Sequence, residues 1–244
     1  MSPPQLPANI ESVAMKLLWD LAIASLKAFS SLGGRVPEKL VHQGTFYWAR
    51  QINDATKGFF VLRDNNFNAS AKLLVRPAID SVFRLYAVKE KPELLYRILY
   101  TETKKEDDWF RRVQGRRGAQ PLSSLQSTEW QTFRASCVKE FGEDKVQDLP
   151  VTLRDLAREA KMEPVYDSYY FFYCQHTHGS LRALTGRLDE VTNLTDIRVM
   201  LLSSMDVLRF LYSLGGDCPD FANLNQRWAQ VDLATRPPIV TESE

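Results

Sequence analysis

Apolar residues recur at helical spacing along almost the whole chain of 244 residues. In the first such stretch, residues 10–32, they lie three or four positions apart, and Gly33-Gly34 supplies a C-terminal stop. No run alternates polar and apolar residues far enough to require a strand, because residues 59–62 are too few and lie inside a helical pattern. The pattern therefore predicts an all-α protein, a single multi-helix bundle of about eight or nine helices.

Residues suited to begin or end a helix divide the chain further. The helices expected from them cover residues 10–32, 37–63, 70–89, 92–112, 127–142, 152–160, 195–214 and 219–231, with an aromatic helix after Pro164. Thr152 and Asp155 have the spacing of a capping box. We expect one domain over residues 9–232, between a disordered head at 1–8 and a disordered tail at 233–244.

The charges nearly cancel, since 31 Lys and Arg face 30 Asp and Glu. This balance gives no global reason to bind nucleic acid or an acidic membrane, so such a partner would need a local patch. Three widely spaced cysteines without a Cys-x-x-Cys pair favour reduced thiols and neither a disulfide framework nor a zinc site. We expect a cytoplasmic protein.

Neither a signal peptide nor a membrane span is expected. The first residues lack a basic region followed by an apolar run. Lys16, Asp20 and Lys27 interrupt the stretch that follows, which is shorter than the roughly 20 apolar residues that a span requires. We therefore expect no membrane partner.

Charged residues interrupt the otherwise apolar helix over residues 70–89. Arg76, Asp80 and Arg84 are four positions apart and share one ridge. Because the remaining residues are apolar nearly all round, we expect this helix to be buried and its charges to need partners. Pro77 inside the helix can kink the backbone beside Arg76. Two interpretations stay open, a functional site or an ion pair that only ties helices together.

The aromatic helix combines four tyrosines, one cysteine and two of the three histidines of the chain. On a helical wheel Tyr170, Cys174 and His178 form one ridge, Tyr173 shares their broad face, and His176 points elsewhere. Two histidines two positions apart on a helix cannot bind one metal ion, so we expect no metal site. Tyr170 and Tyr173 are candidate binding residues, or core residues, and His178 is a candidate site residue, or a hydrogen-bonded core histidine.

A basic loop follows residue 110 and contains Arg111, Arg112, Arg116 and Arg117 among glycines. Arg116 and Arg117 are candidate residues for binding phosphate or an RNA backbone. Acidic residues just before the loop make the local field mixed, so a solvated loop is the alternative. The usual glycine-rich nucleotide-binding motifs are missing from the sequence, and we expect no cofactor.

Two segments resemble a family of bacterial, all-helical proteins of unknown function. They are Leu74-Val-Arg76-Pro-Ala-Ile-Asp80-Ser81 and Tyr170-x-x-x-Cys174-x-x-x-His178, with Leu153-Arg-Asp-Leu-Ala157 between them. The family has Arg-Ser/Pro-x-x-Glu-Ser on one helix and Tyr-x-x-x-Ser-x-x-x-His on another, so here Asp80 stands for Glu and Cys174 for Ser. The resemblance, over about residues 60–190, implies that Arg76, Asp80 and His178 converge into one polar cluster inside the bundle.

Some such helical proteins resemble distant relatives of the HEPN (higher eukaryote and prokaryote nucleotide-binding) superfamily. Its ribonucleases use an Arg-x4–6-His motif in RNA cleavage. The only match in spacing here is Arg35-Val-Pro-Glu-Lys-Leu-Val-His42, which lacks the polar residue that normally follows the arginine. The resemblance is thus confined to the spacing.

These observations favour a ligand- or partner-binding module built around Arg76, Asp80 and His178. The alternative is a HEPN-like, metal-independent ribonuclease of toxin or phage-defence type, in which these three residues would be catalytic. His178 would then act as general acid or base, and Arg76 would stabilise the phosphorane charge. A purely structural core network is the third interpretation. The sequence leaves open the ligand, the partner, whether RNA contacts the basic loop, and whether the chain forms a homodimer.

Overall fold

The computed structural model describes residues 9–32, 39–115, 123–170, 173–174 and 189–235. These ranges contain nine α-helices, a 3-10 turn and a π-helical turn, and no strand, which confirms the predicted all-α fold. The α-helices are α1 Ile10–Ser31, α2 Leu40–Asp64, α3 Asn68–Glu90, α4 Leu94–Gly115, α5 Thr128–Phe141, α6 Leu153–Glu159, α7 Glu163–Val165, α8 Asp189–Ser213 and α9 Phe221–Thr235. The 3-10 turn is Ser124–Gln126, and the π-helical turn is Tyr166–Tyr170.

Capping residues fix several helix ends where the sequence predicts them. The Ser127 hydroxyl accepts a hydrogen bond from the backbone N–H of Trp130 at 3.1 Å and begins α5. Gly142 ends that helix with a φ of 99°, a left-handed conformation that favours glycine. The aromatic segment differs from expectation, because its first turn is π-helical rather than α-helical. Such turns are rare, and periodicity alone does not reveal them.

The predicted capping box of α6 is present. The Thr152 hydroxyl accepts the N–H of Asp155 at 3.2 Å, while the Asp155 carboxylate accepts the N–H of Thr152 at 3.1 Å. Replacing Thr152 by Ala removes one half of this reciprocal pair. We expect Thr152→Ala to lower the free energy of unfolding by about 1 kcal/mol, measured by urea denaturation. Thr152→Ser retains the hydroxyl and serves as control; an equal loss in both variants would show that the cap contributes nothing.

The helices are arranged in two compact units. The first unit comprises Met1–Arg35, Ala49–Val82 and Ser168–Glu244. In it, α1 packs against α8 and α9, and fully buried leucines of α1 supply much of the core, namely Leu17, Leu18 and Leu21. A buried hydrogen bond of 2.8 Å between the hydroxyls of Thr56 and Ser204 connects α2 with α8. The buried leucines each contribute about 1.5–3 kcal/mol relative to an exposed position.

The second unit comprises Val36–Trp48 and Phe83–Asp167. Its core gathers around Tyr96, Cys137 and Val146, each at most 3% exposed, with Trp130 and Phe133 packed against them. Burial raises the pKa of the Cys137 thiol to about 12, which keeps it protonated and apolar in character.

The predicted single domain over residues 9–232 stays a prediction, and the head at 1–8 lies outside the described residues. Most of the predicted tail does so as well, although α9 continues to Thr235. None of the helices in the described parts of the chain has an apolar stretch long enough to cross a lipid bilayer.

Candidate functional site

One face of α3 carries three charged residues in successive turns, Lys72, Arg76 and Asp80, which we call the polar ridge. Lys72 is 6% exposed, while Arg76 and Asp80 are half-buried. The expectation that α3 is buried all round is wrong, since Leu73 is 44% exposed and Pro77 is also exposed. The number of apolar residues on a helix does not determine which sides of it are covered.

Arg76 is held by Tyr170. A guanidinium N–H of Arg76 donates to the Tyr170 hydroxyl at 3.2 Å, and the guanidinium carbon lies 5.5 Å from the centre of the same ring. Burial disfavours the charged guanidinium, but the interactions with Tyr170, with smaller contributions from Cys174 and Asp80, outweigh this effect and raise the pKa of Arg76. The side chain therefore carries a permanent positive charge in a defined position.

Tyr170 also connects the ridge to Cys174. Burial and the negative charge of Asp80 raise the pKa of Tyr170 to about 12, and a hydrogen bond with the Cys174 thiol adds to the effect. At neutral pH the phenol thus keeps its proton and can donate as well as accept. The contact between Tyr170 and Cys174 agrees with their expected placement on one ridge of the aromatic segment.

A second polar contact lies next to the first in sequence and is fully buried. The Tyr173 hydroxyl donates to Asp196 Oδ1 of α8 at 2.5 Å, and both residues are 0% exposed. Asp196 Oδ2 has no hydrogen-bond partner among the described residues. Burial raises the pKa of Asp196 to about 6, although the hydrogen bond from Tyr173 and the charges of Lys72 and Arg63 act in the opposite direction.

Basic residues surround this carboxyl. Lys72 of the polar ridge and Arg63 of α2 both act on Asp196 electrostatically. The side chain of Arg63 is 7% exposed and forms an ion pair with Glu11 of α1. Polar interactions thus connect α1, α2, α3 and α8 in the first unit. Lys72 links the polar ridge, of which it is a member, to the buried Tyr173–Asp196 pair.

The structure brings together part of the site that the sequence predicts. Arg76 and Asp80 interact with Tyr170, whereas the family motifs implied a cluster of Arg76, Asp80 and His178. Tyr173 contacts Asp196, and its assignment as a binding residue stays a prediction. Arg84, the third member of the predicted ridge, instead forms an ion pair of 2.9 Å with Glu102.

Several predicted residues lie outside the described residues: His176, His178, Arg116, Arg117 and Arg35. The convergence of His178 with Arg76 therefore stays a prediction. Among the residues that the structure describes, no group of three or more His, Cys, Asp or Glu is arranged to hold a metal ion.

Sequence reasoning misses two members of the network, Lys72 and Asp196. Lys72 stands four residues before Arg76, so the spacing that groups Arg76 with Asp80 would also have found it. Asp196 is an acidic residue beside buried Ile197 in a long apolar helix, which is itself a signal of a buried charge.

The arrangement offers a fixed cation, a protonated phenol and a carboxylate within one short stretch of α3 and the aromatic segment. A guanidinium positioned in this way can bind an oxyanion through paired N–H donors. The phenol of Tyr170 can add a further donor.

Comparison with known protein families identifies a match. A family of unknown function, DUF5677, matches residues 42–194, well over half of the chain. That segment contains the polar ridge together with Tyr170, Tyr173 and Cys174. No curated protein and no solved structure matches the chain. The expected resemblance to a family of unknown function is confirmed, and the chain belongs to DUF5677.

Proposed function

We propose that the chain is a binding module that holds an anionic ligand at the polar ridge, with Arg76 as the contacting cation. The observation that carries the proposal is the fixed position of the Arg76 guanidinium against the hydroxyl and ring of Tyr170. Arg76 is only half-buried, so the guanidinium is oriented without being enclosed. A cation that is already ordered loses less conformational entropy when it binds.

The chemistry of the ridge favours a carboxylate or phosphate group as the ligand. A guanidinium presents a planar fork of N–H donors that matches two oxygens of either group. Lys72, one turn earlier, adds positive charge. Asp80, one turn later, adds negative charge, which raises the pKa of both Arg76 and Tyr170. This asymmetry along α3 favours an anion at the Lys72 side of Arg76.

Thermal unfolding with added anions tests the proposal. We expect pyrophosphate, inorganic phosphate or succinate to raise the melting temperature of the wild-type protein in a saturable manner at constant ionic strength. Arg76→Lys keeps the charge but loses the fork, and we expect its affinity to fall about tenfold or more, since hydrogen bonds to charged groups contribute about 1.5–3 kcal/mol.

Arg84→Lys is the matched control, because Arg84 lies on the same helix in an ion pair with Glu102. We expect it to bind the anion as the wild type does. Failure of all three anions to raise the melting temperature would contradict the proposal. Equal weakening by Arg84→Lys and Arg76→Lys would do the same.

The alternative proposal is a HEPN-like, metal-independent ribonuclease of toxin or phage-defence type. One observation favours it: Cys174, four positions before His178 in the sequence, interacts with both Tyr170 and Arg76. His178 would supply the acid or base beside the charge of Arg76. RNA cleavage by the purified protein that is lost in folded Arg76→Ala and His178→Ala variants would replace the binding module with this function. Absence of cleavage by the wild type would exclude it.

A further inference from the structure

A separate cleft opens in the first unit between α1, α9 and the segment that joins α8 to α9. Its volume is about 430 Å³, within the range of small-molecule sites. Trp19, Asp20 and Lys27 line it from α1, and Arg227 lines it from α9. None of these residues belongs to the polar ridge.

Carboxylates dominate the electrostatics of the cleft. Arg227 and Asp20 form an ion pair of 2.8 Å and largely neutralise each other. The remaining charges of the lining are the two carboxylates of Asp217 and Asp220 and the single ammonium group of Lys27. Burial raises the pKa of the Cys218 thiol in the same lining, and the charges of Asp220 and Asp217 raise it further. The charge of Lys27 lowers this pKa, but its effect is the smallest of all. Asp217 and Asp220 are exposed, and together they give this part of the lining a negative charge.

The segment that carries these aspartates is held closely against α1. A Cβ atom added to Gly216 would lie 2.9 Å from the carbonyl oxygen of Leu211 and 3.1 Å from the Cβ of Ala28, so only glycine allows this approach. The backbone N–H of Asp217 donates to the Ser31 hydroxyl at 2.7 Å. The aspartates are thus attached to a well-fixed backbone.

Trp19 adds an aromatic surface to the lining. Its ring lies 4.7 Å from that of Phe60, which supports it from α2, and the side chain remains 38% exposed. An indole face attracts ammonium groups and packs well against methylene groups. Aromatic surface beside carboxylates suits a cation that has an apolar stem.

We propose that this cleft binds a small aliphatic amine, with the ammonium group at Asp217 and Asp220 and the carbon chain along Trp19. The first turn of α9 would by itself favour an anion, but Asp220 immediately precedes that helix and supplies negative charge there. The charge of the lining therefore selects a cation.

Calorimetric titration of the full chain with 1,5-diaminopentane, pentylamine and 1-pentanol at constant ionic strength tests the proposal. We expect both amines to bind and 1-pentanol, which has the same chain length and no charge, to bind at least about tenfold more weakly. Asp217→Asn and Asp220→Asn should each weaken amine binding roughly threefold, and the double variant about tenfold. Asparagine is close to aspartate in size and removes only the charge.

Two controls separate this site from other surfaces. Asp54→Asn removes an exposed carboxylate on α2 that is paired with Lys57, and we expect it to bind amines as the wild type does. Arg76→Ala should likewise leave amine binding unchanged, so the two sites succeed or fail independently. Absence of amine binding, equal binding of 1-pentanol, or equal weakening by Asp54→Asn and the double variant would overturn the proposal. The solute comparison needs only the wild-type protein.

Discussion

The wild-type protein is expected to lose about 3 kcal/mol of stability relative to an Asp196→Asn variant as the pH rises from about 4 to just above 6. Asp196 is 0% exposed, and burial raises its pKa from the ordinary value of 3.8 to about 6. The folded protein therefore holds this proton more tightly than the unfolded chain does. The resulting stabilisation is fully present below pH 4 and is lost as the pH rises through 6. Urea unfolding of both proteins at several pH values measures the difference.

Asparagine is a suitable reference because its amide oxygen can accept the hydrogen bond from Tyr173 without taking up a charge. In the wild type, the hydrogen bond from Tyr173 lowers the pKa of Asp196. Tyr173→Phe removes this bond, so the pKa of Asp196 should rise and the loss of stability should occur at higher pH. Asp54→Asn, at an exposed site, should show the same dependence of the free energy of unfolding on pH as the wild type. If the free energies of unfolding of the wild type and Asp196→Asn differed by the same amount at pH 4 and at pH 7, the prediction would be wrong.

Tyr96→Ala is expected to lower the free energy of unfolding by about 3–5 kcal/mol, the range for a large buried aromatic side chain. Tyr96 is 0% exposed, and its ring lies 5.6 Å from that of Trp130 and 6.1 Å from that of Phe133. Its hydroxyl donates to Asp148 at 2.5 Å. Truncation therefore leaves a cavity among the aromatic rings and also removes the donor to a carboxylate.

Tyr96→Phe separates these two losses. It keeps the ring and removes only the hydroxyl, so we expect a cost of about 1–3 kcal/mol in the same urea measurement. Tyr47→Ala is the control in the same unit, because Tyr47 is 59% exposed and should change stability by no more than about 0.5 kcal/mol. If Tyr96→Phe and Tyr96→Ala proved equally destabilising, ring packing would contribute nothing and the prediction would be wrong.

The helices of this protein are predictable where local residues define them. Ser127 and Gly142 mark the two ends of α5 because capping depends on one residue and its neighbours. The sequence predicts that α9 ends at Val231, but this helix continues to Thr235. Asp232, in that final turn, is buried and accepts hydrogen bonds from Arg198 of α8 at 3.1 and 3.3 Å. A contact between residues 34 positions apart leaves no local signal.

In the candidate site, too, features set by nearby residues are predictable, whereas contacts between distant residues are not. A helical wheel places Arg76 and Tyr170 each on a ridge of its own segment, but it does not predict their contact, because the two residues are 94 positions apart. Lys72 is missed because lysine is almost always exposed, and only the packing around α3 shows that this one is 6% exposed. The contact of Tyr173 with Asp196 depends on how α8 returns to the aromatic segment, which composition and spacing do not specify.

The π-helical turn at Tyr166–Tyr170 has a consequence for comparing members of the family. Its hydrogen bonds span five residues rather than four, so it accommodates one residue more than an α-helical turn would. A member that lacks this residue could close an ordinary turn here and still begin at an equivalent of Glu163. Because only the extra residue is lost, its equivalent of Tyr170 would keep its place opposite Arg76. A member of unchanged length with an α-helical turn here would instead have this tyrosine rotated by about 100° away from Arg76. The arginine–tyrosine contact therefore depends on the π-helical turn in members of full length, and a one-residue gap in an alignment at this turn is compatible with the contact.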